Sequence, residues 1–215
     1  RYFAWSGWPG DENLRQVLYI AEMETPWSIV GDRVLLSEPT FPWERRGGPP
    51  YINEGVRFLK HREAVHLVYS ASGSWTDQYC LGLLTYDGRG DVLDPASWSK
   101  SDRPVFEGGN GVVAPGHASF VLSPDGLEDW IVFHSARQPG SGWDRVIRIQ
   151  PFHWSDADVP QFGSPLAPDA GCPLPSGDLS VYPLLDPIPA DRPVQIRSRF
   201  QSLALVMETA ADTGR

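Results

Sequence analysis

Three short runs in this chain repeat at nearly constant spacing, and that period constrains the fold more than any single motif does. Tyr2-Phe3-Ala4-Trp5-Ser6, His66-Leu67-Val68-Tyr69-Ser70 and Ile131-Val132-Phe133-His134-Ser135 are each an apolar or aromatic run closed by a serine. The serines stand 64 and 65 residues apart. A polar turn follows each serine, then a second apolar strand, at 17–23, 79–85 and 145–150. A connection bearing Trp27, Trp98 or Trp154 comes next, and a short Pro-marked segment closes the unit, at 34–39, 103–106 and 161–165. Helical periodicity is almost absent, and Gly, Pro, Asn and Asp cut the runs short, which is the punctuation of β-structure. Gly and Pro each number 21 in 215 residues, together about a fifth of the chain against a usual share of about 12%. Nine Trp, nine Phe and seven Tyr supply the apolar mass that a disordered chain lacks. Several strands per unit at a fixed period predict an all-β propeller in which each unit is a blade.

One more strand precedes the second and third units. Asn53-Glu54-Gly55 leads into 56–59, and Ala114-Pro115-Gly116-His117 leads into 118–122. The first strand of a blade is innermost, so Glu54 and His117 are expected to point toward the central channel. The first unit lacks this strand, because the corresponding residues would fall upstream of Arg1. The expectation is therefore a propeller truncated to about three blades, short of the roughly four that closure needs, with N-terminal sequence missing. Acidic residues number 27 and basic ones 18, a net charge of −9, which disfavours nucleic acid and anionic membrane as partners. No apolar run approaches the roughly 18 residues of a membrane helix. Residues 1–5 read as a strand already under way rather than as a signal peptide. Two cysteines, Cys80 and Cys172, make no disulfide framework and do not fix a compartment.

The inner-strand motifs form an ordered set with two others: 145–150 followed by Pro151-Phe152-His153-Trp154, and 18–23 followed by Thr25-Pro26-Trp27. Over roughly residues 1–187 this set resembles glycoside hydrolase family 43. The resemblance implies a five-bladed β-propeller acting on arabinose- or xylose-containing polysaccharides. It also implies inversion of anomeric configuration by an Asp base, a Glu acid and a second Asp that tunes the acid. Glu54 is then the general acid. The base and the tuning Asp are expected before Arg1, so the chain alone is expected to be inactive. The chemistry fits such a channel: a glycosidic oxygen leaves poorly unless protonated, and an inverting pair stands about 6.5–9.5 Å apart to admit water. Val56 stands where the family usually has Pro, and Ala114 and Ala118 replace a Gly and an Asn of the family's His motif.

The same resemblance gives His117 a place at the channel centre, beside a bound cation or its waters, although a lone His is more often a hydrogen-bonded structural residue. A calcium ion there would be held mostly by water oxygens. Arg145, five positions before Gln150, is the expected sugar contact. Arg148 is its rival, and strand alternation places the two on opposite faces. Trp75 and Tyr79 flank Thr76-Asp77-Gln78 in a loop of the middle unit; Trp75 is kept as a sugar-stacking candidate, although aromatics more often serve packing. Trp5, Trp8, Trp27, Trp98, Trp130 and Trp154 recur in register and are expected in the core between blades. His61-Arg62-Glu63 reads as an exposed hairpin, and Ser123-Pro124-Asp125-Gly126 as a turn.

After Pro187 the chain becomes linker-like, and 194–205 faintly resembles the first strands of ricin-type trefoil carbohydrate-binding modules. The expected division is 1–187 as the partial propeller and 188–215 as linker and module start. The expected activity is release of L-arabinofuranose from arabinan or arabinoxylan side chains by a secreted hydrolase. A β-xylosidase of the same family is the near alternative, and a carbohydrate-binding propeller without catalysis is the distant one.

Overall fold

The computed structural model describes residues 1–178. The expected linker and module start at 188–215 lie outside the described residues, as does the end of the expected 1–187 domain. Eleven strands follow one another: β1 (Tyr2–Gly7), β2 (Arg15–Thr25), β3 (Ser28–Ser37), β4 (Tyr51–His61), β5 (Ala64–Ala71), β6 (Cys80–Tyr86), β7 (Trp98–Lys100), β8 (Val113–Leu122), β9 (Asp129–Ala136), β10 (Arg145–Trp154) and β11 (Pro160–Gln161). Two short 3-10 turns, Pro42–Arg45 and Pro95–Ser97, are the helical pieces among the described residues.

The strands form three antiparallel meanders, β1–β3, β4–β7 and β8–β11. Each repeated serine is the penultimate residue of its strand, in β1, β5 and β9. The sequence period is therefore the blade period. The first meander has three strands and the other two have four, in line with the expectation that the first unit carries no inner strand here. A short parallel bridge, Arg15 to Tyr51 and Gln16 to Ile52, fuses the first two blades into one sheet, while the third stands apart. Outer strands depart from expectation. In the middle blade the fourth strand is β7, not 103–106, which makes only an isolated bridge between Leu81 and Phe106. Trp98–Lys100 pairs with 84–86 of β6, and Val105 and Phe106 bond Leu81 further along the same edge, where Pro104 has no N–H with which to extend the ladder.

The core lies in two seams between blades. The first gathers Leu18, Ile20, Leu36, Val56, Leu67, Tyr69 and Leu84. The second gathers Leu59, Val68, Leu81, Phe106, Ile131, Phe133, Phe152 and Phe162. Strand alternation explains the split: along β5, Leu67 and Tyr69 enter the first seam and Val68 the second, so the middle blade is covered on both faces. The outward faces of the flanking blades are open: Ile147 is 81% exposed and Trp27 85%. Trp27 is thus not core. It occupies the tight turn joining β2 to β3, a hairpin tip that no blade covers. Trp98 and Trp130 are buried as expected, and Trp5, Trp8 and Trp154 are half-buried. The 61–63 hairpin is exposed at Arg62 and Glu63 as expected, and it is held at its base, where His61 stacks on Trp154 at 4.1 Å and Arg62 pairs with Asp158 at 2.9 Å.

The first seam holds a fully buried carboxylate that the sequence reading did not anticipate. Glu44 receives Tyr69 Oη–H at 2.9 Å, the Thr40 and Phe41 N–H groups at 2.8 and 2.9 Å, and Lys100 Nζ at 2.8 Å. Lys100 also donates to the Glu38 carbonyl at 2.8 Å, which ties β7 to the segment after β3. Burial lowers the Lys100 pKa, and the hydrogen bond and charge of Glu44 oppose that shift.

Candidate active site

At one end of the second seam, β4 carries Glu54 opposite Ser70 of β5. The ladder slips immediately after Glu54, and Gly55 there takes φ +60°. Bulges of this kind re-aim side chains and favour sites. Across the seam β8 slips twice, with Ala114 at φ +53° and His117 at φ +51°. The His117 N–H donates to Ser70 Oγ at 2.7 Å, so the repeated serine keys both motifs together. A side chain at position 55 would place Cβ 3.0 Å from the His117 ring, in a conformation that already favours glycine. Gly116 is required in the same way, because a Cβ there would collide with the Tyr79 ring.

Tyr79 lies just before β6, freed from the ladder, and its hydroxyl donates to Glu54 Oε1 at 2.8 Å. Burial, then the Glu54 charge, holds the Tyr79 pKa well above its ordinary value, so the group stays a donor. No protein donor among the described residues reaches Glu54 Oε2. His134 of β9 stacks on Tyr79 at 6.0 Å and on His117 at 5.8 Å. Arg145, the first residue of β10, donates from Nε to His134 Nδ1 at 3.0 Å and lies 5.3 Å from the Tyr79 ring centre. Burial, Arg145 and His117, in that order, push the His134 pKa down to about 4. The ring is therefore neutral near pH 7, with Nδ1 as the acceptor and the proton on Nε2. Both terminal nitrogens of Arg145 are buried and have no partner among the described residues. Burial also lowers the Arg145 pKa, against the nearby Tyr79 and Glu54.

Glu54, His117 and Arg145 are thus brought together, and Tyr79 and His134 join them. Arg148, the rival, spends its Nε on Ser135 Oγ at 2.8 Å. Trp75 is not in contact with this group; it lies in loop 72–79, with its nearest ring partner Trp143 at 6.4 Å. His134 carried a signal, since it stands before the repeated serine where Trp5 and Tyr69 stand in the other units. Among the described residues no group of three or more His, Cys, Asp or Glu side chains converges on a cation position. Calcium prefers six to eight oxygen ligands, which the single His117 ring does not begin to supply. A cleft of about 220 Å³ between β10 and residues 166–172 contains none of these site residues.

The grouping can protonate a leaving oxygen from Glu54 and bind hydroxyl groups through the empty Arg145 nitrogens. Residues 1–160 match the sequence profile of Glycosyl hydrolases family 43. The chain is 37% identical over 175 residues to a Streptomyces avermitilis protein named extracellular exo-α-(1→5)-L-arabinofuranosidase, covering 78% of this chain and 36% of that one. It is 35% identical over 183 residues to α-L-arabinofuranosidase 43 of Humicola insolens, covering 81% and 37%. The crystal structure of α-L-arabinofuranosidase from Lactobacillus brevis superposes with a TM-score of 0.71 at 34% identity, over 79% of this chain and 54% of that one. The chain therefore spans little more than a third of the length of these two curated relatives. Repeat, blade topology and sequence profile agree: the chain belongs to glycosyl hydrolase family 43, and its described residues match about half of a propeller structure related to it.

Proposed function

We propose that these residues serve an inverting α-L-arabinofuranosidase that releases L-arabinofuranose from arabinan or arabinoxylan side chains, with Glu54 as the general acid. The observation that carries this reading is the pairing of a carboxylate free at Oε2 with a buried guanidinium whose terminal nitrogens have no protein partner. Arg145 binds the sugar hydroxyls with those nitrogens, and the neutral His134 fixes their direction by accepting from Nε. His117 sets the position of the β4 bulge that presents Glu54. Tyr79 orients the Glu54 carboxyl. Trp75 contributes an aromatic face to the substrate. Inversion also needs a base on the other side of the sugar, about 6.5–9.5 Å from the acid, and the sequence expectation assigns it to a blade ahead of Arg1. A calcium ion at His117 stays a proposal with no protein-built cage behind it, and no step here runs through it. The name of the Streptomyces relative supports an extracellular setting, as the names of the curated relatives support arabinose over xylose.

The test joins the chain to the N-terminal blades of an arabinofuranosidase relative and measures hydrolysis of α-1,5-arabinobiose, aryl α-L-arabinofuranoside and aryl β-D-xyloside. Wild type is expected to cleave the aryl arabinoside in preference to the xyloside, and Glu54→Ala to lose about 10²–10⁴-fold in rate on arabinobiose, whose leaving sugar needs a proton. Near-full rate of Glu54→Ala on arabinobiose removes the acid assignment, and preference for the xyloside moves the substrate to xylose.

A further inference from the structure

Ser70 of β5 stands directly across the ladder from Glu54 and is fully buried. Its oxygen accepts the His117 N–H at 2.7 Å. Its own O–H donates to the Tyr79 hydroxyl, a bond that opposes the upward push of burial and of the Glu54 charge on the Tyr79 pKa. Tyr79 in turn donates to Glu54 Oε1 at 2.8 Å. One line of hydrogen bonds therefore starts at a backbone amide of β8 in the third blade and ends on the carboxylate in the second.

The sense of that line is set at its far end. A backbone N–H can only donate, whereas a hydroxyl can turn. In the opposite sense Glu54 would carry its proton on Oε1 and donate to Tyr79, and Tyr79 would donate to Ser70. The Ser70 proton, fully buried, would then lose its acceptor, and a buried hydroxyl left without one is costly. Aligned donors in a buried site also polarise one another, so each bond strengthens the next. The serine of the third unit is used differently. Ser135 donates to the Ala136 carbonyl at 3.1 Å and accepts from Arg148 Nε at 2.8 Å. The repeated position thus serves a local brace in one blade and is aimed at the carboxylate in the other.

We propose that Ser70 is a positioning residue for the acid step: through Tyr79 it keeps Glu54 Oε1 accepting, so that the proton for the leaving sugar sits on Oε2, the oxygen with no protein donor among the described residues. This rests on the general-acid reading of Glu54 and adds the side chain that decides which of its two oxygens delivers the proton. Glu54 Oε2–H gives its proton to the glycosidic oxygen as the bond to the anomeric carbon breaks, and that oxygen keeps the electron pair of the bond. Water closes on the anomeric carbon and yields its proton to the base expected upstream. The carboxylate left behind keeps its Tyr79 bond at Oε1.

The chain joined to the N-terminal blades of an arabinofuranosidase relative tests this on two substrates. The leaving sugar of α-1,5-arabinobiose needs the proton, and the leaving group of dinitrophenyl α-L-arabinofuranoside does not. Ser70→Ala is expected to slow arabinobiose cleavage about three- to tenfold. The dinitrophenyl substrate is expected to stay near the wild-type rate, which also shows that the variant is folded. Adding Ser70→Ala to Tyr79→Phe is expected to cost nothing further on arabinobiose, because Ser70 acts through the hydroxyl already removed. Ser70→Cys, similar in size and a weak donor, is expected to follow Ser70→Ala and replaces it where the alanine variant is too unstable to assay. Equal losses on the two substrates, additive losses in the double variant, or no loss in either Ser70 variant overturn the proposal. Glu54→Ala reads the acid separately: near-full rate there on arabinobiose fails the acid assignment itself, whatever Ser70 does.

Discussion

Glu44 and Glu54 belong to neighbouring seams of the blade stack, and each receives a tyrosine hydroxyl from 25 residues further along the chain, Tyr69 at 2.9 Å and Tyr79 at 2.8 Å. Around Glu44 the environment is complete: two backbone N–H groups and the Lys100 ammonium join the tyrosine, and the residue is fully buried. Around Glu54 it is left unfinished: among the described residues the second oxygen has no protein donor, and the nearby Arg145 keeps two buried nitrogens unpaired. A carboxylate whose acceptors are all occupied holds a seam together and has nothing left to offer a ligand. One held by a single donor keeps capacity for a substrate at the cost of local stability. Burial alone would have picked the wrong glutamate as functional, and counting partners separates them.

This contrast makes four differences measurable. The largest concerns rate: in the chain joined to the N-terminal blades of a relative, Glu54→Gln is expected to lower arabinobiose hydrolysis by about 10²–10⁴-fold. Its unfolding free energy should stay within about 0.5 kcal/mol of wild type. Glu44→Ala should do the reverse, costing about 3–5 kcal/mol in urea unfolding because the buried Lys100 ammonium loses its counter-charge. A loss below about 1 kcal/mol would erase the distinction between the two seams. Tyr79→Phe comes next: removing the donor to Oε1 should slow cleavage of arabino-oligosaccharides about tenfold, a barrier change of about 1.4 kcal/mol. A dinitrophenyl leaving group departs without a proton, so its cleavage should be nearly unaffected; equal losses on both substrates would make Tyr79 merely structural.

The smallest difference is in pH response. His134 has an ordinary pKa of 6.5 and a native one of about 4, because burial and Arg145 disfavour its charged form. Between these values the unfolded chain binds a proton that the native one refuses. Stability is therefore full above about pH 6.5 and is lost as pH falls toward 4. His134→Asn, which keeps an acceptor for Arg145 without titrating, should flatten that acid limb in denaturant unfolding. An unchanged limb would show that other groups set it.

Much of this architecture was written in one-dimensional spacing. The serine period located β1, β5 and β9, and the motif order put Glu54, His117 and Arg145 in one family pattern before any contact was visible. What escaped depends on contacts between distant segments. Nothing in Pro42-Trp43-Glu44-Arg45 announces Lys100, 56 residues away, as the partner of Glu44. Tyr79 seemed to be the first residue of a strand, yet the ladder begins at Cys80, and that one-residue difference sends its hydroxyl to Glu54. Trp27 followed the register of the other tryptophans, but register predicts burial only where a neighbouring blade covers the face. The Pro-marked segment at 103–106 is legible in the sequence, but not that it meets β6 only at Leu81, further along the edge whose 84–86 stretch takes 98–100.

The glycine beneath the His117 imidazole has a further consequence. Position 55 accepts no side chain without displacing that ring, and position 117 holds a left-handed backbone shape that its neighbours must enforce. The carboxylate loop and the imidazole strand come from different blades, so the constraint between them runs one way: while the imidazole stays at 117, any side chain at 55 has to push it aside, whereas a smaller residue at 117 would leave glycine at 55 undisturbed.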